Sequence, residues 1–162
     1  MKKLIAFVMA ALFIGVSSSA FAASSVNQTV TYQVQAINEI SVSGNPSALI
    51  VNAATAGSQP TAVTDATTTY GITTNGSSKK ITGVLNSAMP ANTSLKATLT
   101  APTGGTGAGQ VTLTASALDL VTGISTVAQS GIGISYEFSA TAAAGVIASA
   151  QKTVTLTVAD GS

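Results

Sequence analysis

The chain of 162 residues contains no histidine, no cysteine and no tryptophan, and its six basic residues are all lysine. Without imidazole or thiol there is no Ser-His-Asp or Cys-His nucleophile, and most zinc sites lose their usual ligands. No disulfide can form, which a domain of this size does not require. Charged residues make up only 7% of the chain. The carboxylates are Glu39, Asp65, Asp119, Glu137 and Asp160, scattered with no closely spaced pair. Glycoside hydrolysis needs two carboxyls across a cleft, and calcium needs a cluster of oxygen ligands. Asp65 or Asp119 alone supplies neither. Glu39 and Glu137 fall on the polar phase of their segments and read as solvated charges. The expectation is therefore no catalytic residue, no metal and no cofactor, in a protein that is not an enzyme.

Aromatic residues are scarce as well. Three of the four phenylalanines precede residue 22, leaving Phe138 with Tyr32, Tyr70 and Tyr136. A core must come from Val, Ile, Leu and Ala, held by a dense backbone ladder.

What is present begins with a leader. Lys2 and Lys3 precede an apolar run from Leu4 to Val16, then small residues and Ala20-Phe21-Ala22. This is the pattern of a secretory signal peptide over 1–22, cleaved between Ala22 and Ala23. The run is shorter than the roughly 20 residues that span a bilayer, and no later stretch is long enough, so no transmembrane segment is expected in the mature chain. Cleavage removes two of the six lysines; four remain against five acids, a formal charge of −1. That leaves no basic patch for nucleic acid. Residues 23–162 are a comfortable length for one domain.

Within that domain, period-two alternation recurs. "QTVTYQVQAINEISVSG" (28–44) puts Val30, Tyr32, Val34, Ala36, Ile40 and Val42 on one phase. Leu49 and Val51 mark a short strand, and a weak one is expected near Ala62-Val63. Tyr70 and Ile72, then Ile81, Gly83 and Leu85, flank Asn75-Gly76 and read as a hairpin. Leu95, Ala97 and Leu99 form a further face, as do Val111, Leu113 and Ala115. "GGTGAG" (104–109) resembles a phosphate-binding loop only superficially, because a strand follows where a helix is needed. "LDLVTGIST" breaks the alternation and suggests a bend or helical turn. Ile132, Ile134, Tyr136, Phe138 and Ala140 alternate cleanly; 141–151 reads as a connection or short helix; Val154, Leu156 and Val158 end the pattern. Seven or eight short strands with no sustained helical period predict an all-β fold, an antiparallel immunoglobulin-like β-sandwich, with a barrel as the alternative.

The first ruler is unusually long. Residues 29–43 in one register would run about 50 Å, against a usual strand of about 5–6 residues. Either the segment bends and serves both sheets of its own sandwich, or residues 26–37 are an exchangeable arm. In the second case Val30, Tyr32, Val34 and Ala36 would add to a sheet edge of the next subunit. Ile37 and Asn38, each on the wrong phase, support the bend.

The leader, the Thr/Ala-rich alternating strands and the missing cysteines together are similar to bacterial exported β-sandwich proteins of surfaces and fibres. The likeness spans the mature chain and carries no specific motif. It departs from chaperone–usher pilins, whose cysteine pair and aromatic residue near the C-terminus are absent. The resemblance implies a secreted structural or adhesive surface protein, in the periplasm, on the cell surface or in the medium, that associates with itself or with surface and matrix components. A monomeric binding module for carbohydrate or protein is the other reading.

Overall fold

The computed structural model describes residues 25–161; the expected leader and its cleavage site at Ala22–Ala23 lie outside them. Residues up to Gln33 and residues from Val34 onward form separate units. In the first, Ser25–Gln33 belongs to no strand or helix.

The second unit is all-β, with every pairing antiparallel. Its strands are β1 (Asn38–Val42), β2 (Val63–Thr74), β3 (Lys79–Leu85), β4 (Thr93–Leu99), β5 (Thr106–Gly107), β6 (Val111–Thr112), β7 (Leu118–Ile124), β8 (Val127–Ala140) and β9 (Val154–Asp160). A 3-10 turn, Ala142–Ala144, separates β8 from β9. Two sheets form, ordered β1-β2-β8-β4-β6 and β5-β7-β3-β9. Among the described residues no helix is long and apolar enough to cross a membrane.

Alternation explains the strands, and the core is the sum of their apolar phases. Tyr70 and Ile72, Ile81 and Leu85, Ala97 and Leu99, Leu120, Val121 and Ile124, and Ile132, Ile134 and Tyr136 are buried together with Leu113. Apart from two tyrosines the cluster is aliphatic, as the composition requires.

Several expectations change. The segment around Asn75-Gly76 is not a hairpin: β2 pairs with β1 and β8, whereas β3 pairs with β7 and β9. The chain crosses from one sheet to the other over residues 75–78. Positive φ falls on Ser78 (53°), not on Asn75 or Gly76. "LDLVTGI" is no turn but β7. Its phase breaks because the ladder with β3 is irregular, so Leu120 and Val121 are buried side by side. Gly123 takes φ of 69° within it, the left-handed conformation that a bulge imposes. Leu49 packs against the core from outside any strand, and Ala115 is exposed because β6 ends at Thr112. The glycine-rich loop contributes the two residues of β5 to the second sheet.

Bulges also shape the long β2–β8 ladder. One carries Gly131 (φ 69°) in β8; the other lies in β2 between Asp65 and Thr68. There the Asp65 carboxylate accepts from the Thr67 backbone N–H (3.1 Å) and hydroxyl (2.8 Å), closing a local turn that replaces the missing ladder bond. Those bonds, the backbone one first, with a lesser contribution from Ser47, hold the Asp65 carboxyl below its ordinary pKa.

Candidate functional site

The segment singled out by its pattern, 26–37, lies outside every strand; the strand it was expected to form is confined to Asn38–Val42. The break falls at Asn38, where the alternation faltered. Val26, Val30, Tyr32 and Val34 are 94, 72, 89 and 79% exposed. Ala36 is exposed too. A row of large apolar side chains left in water is the informative exception to the ordinary surface of a soluble domain.

The domain holds the C-terminal end of this segment. Asn75, in the crossing between β2 and β3, uses its side-chain amide as a peptide group would. Its Oδ1 accepts from Ile37 N–H and its Nδ2 donates to Gln35 O, both at 2.8 Å. Its own backbone N–H donates to Ile37 O at 3.3 Å. Asparagine fits here because it offers a donor and an acceptor on one short side chain. The sequence marks Asn75 as a turn former; its bonds to 35 and 37 join residues nearly forty positions apart.

Sheet edges are the natural partners of an alternating segment. The first sheet ends in β1, which carries Glu39, and in the two-residue β6; the second ends in the two-residue β5 and in β9. β9, "VTLTVAD", is different. It is seven residues long, holds no Lys or Pro, two usual guards of an open edge, and has its one charge, Asp160, at its last residue. Its pairing phase is defined at both ends. Asn86 N–H donates to Thr153 O at 3.0 Å, and Gly161 N–H to Ser78 O at 2.6 Å. In an antiparallel ladder alternate residues bond to opposite sides. The odd-numbered residues of β9 therefore bond to β3. Val154, Leu156, Val158 and Asp160 turn their backbone groups to the far edge, which pairs with no strand among the described residues. Their neighbours Thr155 and Thr157 are exposed, whereas the side chains of Val154, Leu156 and Val158 are only half-buried against the core. β9 lies against β1 across the sandwich, where Ile40 is half-buried as well.

The carboxylates are dispersed. Asp119 pairs with Lys80 (3.0 Å), Asp160 with Lys79, and Glu137 with Lys96 (2.9 Å) and the Gln110 amide (3.1 Å). Hydrogen bonds from Lys96, then Gln110, hold Glu137 below its ordinary pKa; Lys79 does the same for Asp160. Lys79 and Lys80 open β3. Lys152 donates to Ser87 Oγ (2.6 Å) and Ala88 O (2.8 Å). Among the described residues no three acidic, histidine or cysteine side chains gather as a metal would need. Among the described residues, two shallow concavities stand out. One spans β1, β2 and β8, with Glu39, Ser41, Thr73 and Gln129 on its rim; the other joins Gln59, Asn92 and Ser139.

Comparison with family models, with curated proteins and with solved structures finds no match to this chain.

Proposed function

We propose that this is a secreted, non-enzymatic structural or adhesive surface protein, a subunit of a filament or matrix that assembles by β-strand addition. The observation that carries the reading is the exposed alternating row Val30, Tyr32 and Val34, set outside every strand. A chain that keeps so few charges elsewhere gains nothing in solubility from such a row. It gains a binding element, because an extended segment docks by backbone bonds and seats alternate side chains. The leader sequence supports export, and the dispersed carboxylates support a role without chemistry. Addition through one segment and a different acceptor surface is head-to-tail, which does not close and so extends.

The mature chain, residues 23–162, is compared with the same chain carrying Val30→Asp and Val34→Asp, by light scattering and negative-stain microscopy. Both positions are exposed, so folding is expected to be unchanged by circular dichroism. Filaments or large assemblies that vanish in the variant support the reading. A mature chain that stays monomeric at all concentrations refutes it. It would turn attention to the second reading, a carbohydrate- or protein-binding module, which the hydroxyl- and amide-lined concavities favour.

A further inference from the structure

We propose that the acceptor is the free edge of β9, and that Val30–Ala36 of a second copy adds there as the next strand of the second sheet. The proposal rests on the strand-addition reading above and names its partner surface. Three independent features of β9 meet the requirements of such a partner. Its far edge presents the N–H and C=O groups of Val154, Leu156 and Val158, enough for about six backbone bonds to an added strand. The same three residues have half-buried side chains, so the core at this edge is covered incompletely. And the edge carries no Lys or Pro, its one charge being Asp160 at the last residue of the strand.

The arm matches in length and in phase. Val30–Ala36 and Val154–Asp160 are both seven residues, about 23 Å of strand at roughly 3.3 Å per residue. An added strand that turns Val30, Tyr32 and Val34 to the inner face sets them beside Val154, Leu156 and Val158. Thr31, Gln33 and Gln35 then join Thr155 and Thr157 on the wet face. The alternation is symmetric about Tyr32 and Gln33, so the match holds for either strand direction.

The occupant is a second copy rather than the chain's own arm. Residues 35 and 37 are bound to Asn75, and a fold-back of the arm just before this anchor would need a tight reversal between 28 and 35. That stretch holds no Gly, Pro, Asn or Asp, the residues that make tight reversals.

The cysteine-free chain allows a direct test. The mature chain carrying Thr157→Cys is combined with Thr29→Cys, Thr31→Cys or Gln33→Cys, three arm positions that cover the registers. Each pair is oxidised and run on a non-reducing gel beside light scattering of the unsubstituted chain. Facing strands place such side chains within disulfide reach. The expected result is a ladder of covalent dimers, trimers and longer species for at least one pair, lost on reduction. The matching pairs with Ser41→Cys on β1 or Thr112→Cys on β6 should give none. Assembly with a ladder only from Ser41→Cys or Thr112→Cys overturns β9 as acceptor and leaves strand addition standing. A cross-linked monomer shows the arm docking on its own domain and overturns exchange between copies. No assembly and no cross-link removes the strand-addition reading together with this one.

Discussion

Tyr70 offers the sharpest test of how the core is held. It projects from β2 into the sandwich, 1% exposed, and its hydroxyl donates to Thr100 O at 2.6 Å, just beyond β4. In the sheet order β8 lies between β2 and β4, so this bond bridges strands that share no ladder. Burial pushes the Tyr70 phenol up to about 12. Tyr70→Phe keeps the ring and deletes the donor, leaving a carbonyl that has lost its partner. The net cost of such a loss is about 1–2 kcal/mol. With an unfolding entropy near 2.1 cal/mol/K per residue and roughly 130 ordered residues, Tm should fall by about 4–7 °C. Tyr136 is the internal control. It is 8% exposed, with a pKa raised by burial, but its hydroxyl makes no hydrogen bond among the described residues. Tyr136→Phe should change stability by less than about 0.5 kcal/mol. Thermal and urea unfolding of the two variants decide the matter. Equal stability of Tyr70→Phe and the parent, or an equal loss in both variants, would refute the assignment of the bond. Absorbance titration above pH 10 adds a second readout: Tyr70→Phe should remove the phenol that ionises latest.

Gly83 is buried on β3, and a Cβ placed there would lie 2.6 Å from Leu120 Cδ1. Gly83→Ala should cost about 1–3 kcal/mol by overpacking, and urea unfolding of the double variant with Leu120→Ala should show less than the sum of the two single losses. Asn75→Ala removes two hydrogen bonds to an exposed segment, so it should cost about 1 kcal/mol or less while raising backbone hydrogen exchange at residues 35–37. Stability should be level between about pH 5.5 and 7, because no histidine titrates there. Below about pH 4 it should fall. Asp65, Glu137 and Asp160 are depressed in the folded state, so their contribution is complete above the unfolded carboxylate pKa and is lost as pH drops through the folded values. At the alkaline end the sign reverses: Tyr70 is raised, so its contribution is lost from about pH 10 upward through 12. A pH series of thermal melts checks both limbs.

Which residues face the core was largely legible; which strands are partners was not. The alternation of Ile132, Ile134 and Tyr136, or of Ala97 and Leu99, reports the chemistry of a face, and the fold agrees. Asn75-Gly76 between two such runs reads as a hairpin because nothing local distinguishes a chain that doubles back from one that crosses to the other sheet. The unusual φ moved to Ser78, and the asparagine amide went to residues 35 and 37. β7 was hidden for a different reason: period two presumes a regular ladder, and irregular pairing with β3 buries Leu120 and Val121 in succession. The arm is the converse case. Residues 28–36 carry a strand's pattern without a strand's partner, since alternation records what a segment can pair with and not whether the partner is in the same chain. The free edge of β9 could not be read at all, because an edge is defined by topology.

The crossing at residues 75–78 has a consequence for the order in which the molecule can be made. With β2 and β3 committed to different sheets, the central strands wait for distant ones: β2 and β4 for β8, and β3 for β7 and then β9. Such non-local topology makes folding slow, because long loops must close before the central ladders are rewarded. The second sheet has no far wall until residues 154–160 have emerged. Until then the nascent chain has few neighbouring segments to zip with. A polypeptide that cannot finish its own sheets early stays threadable for most of its synthesis, which is the condition that passage through a narrow channel imposes.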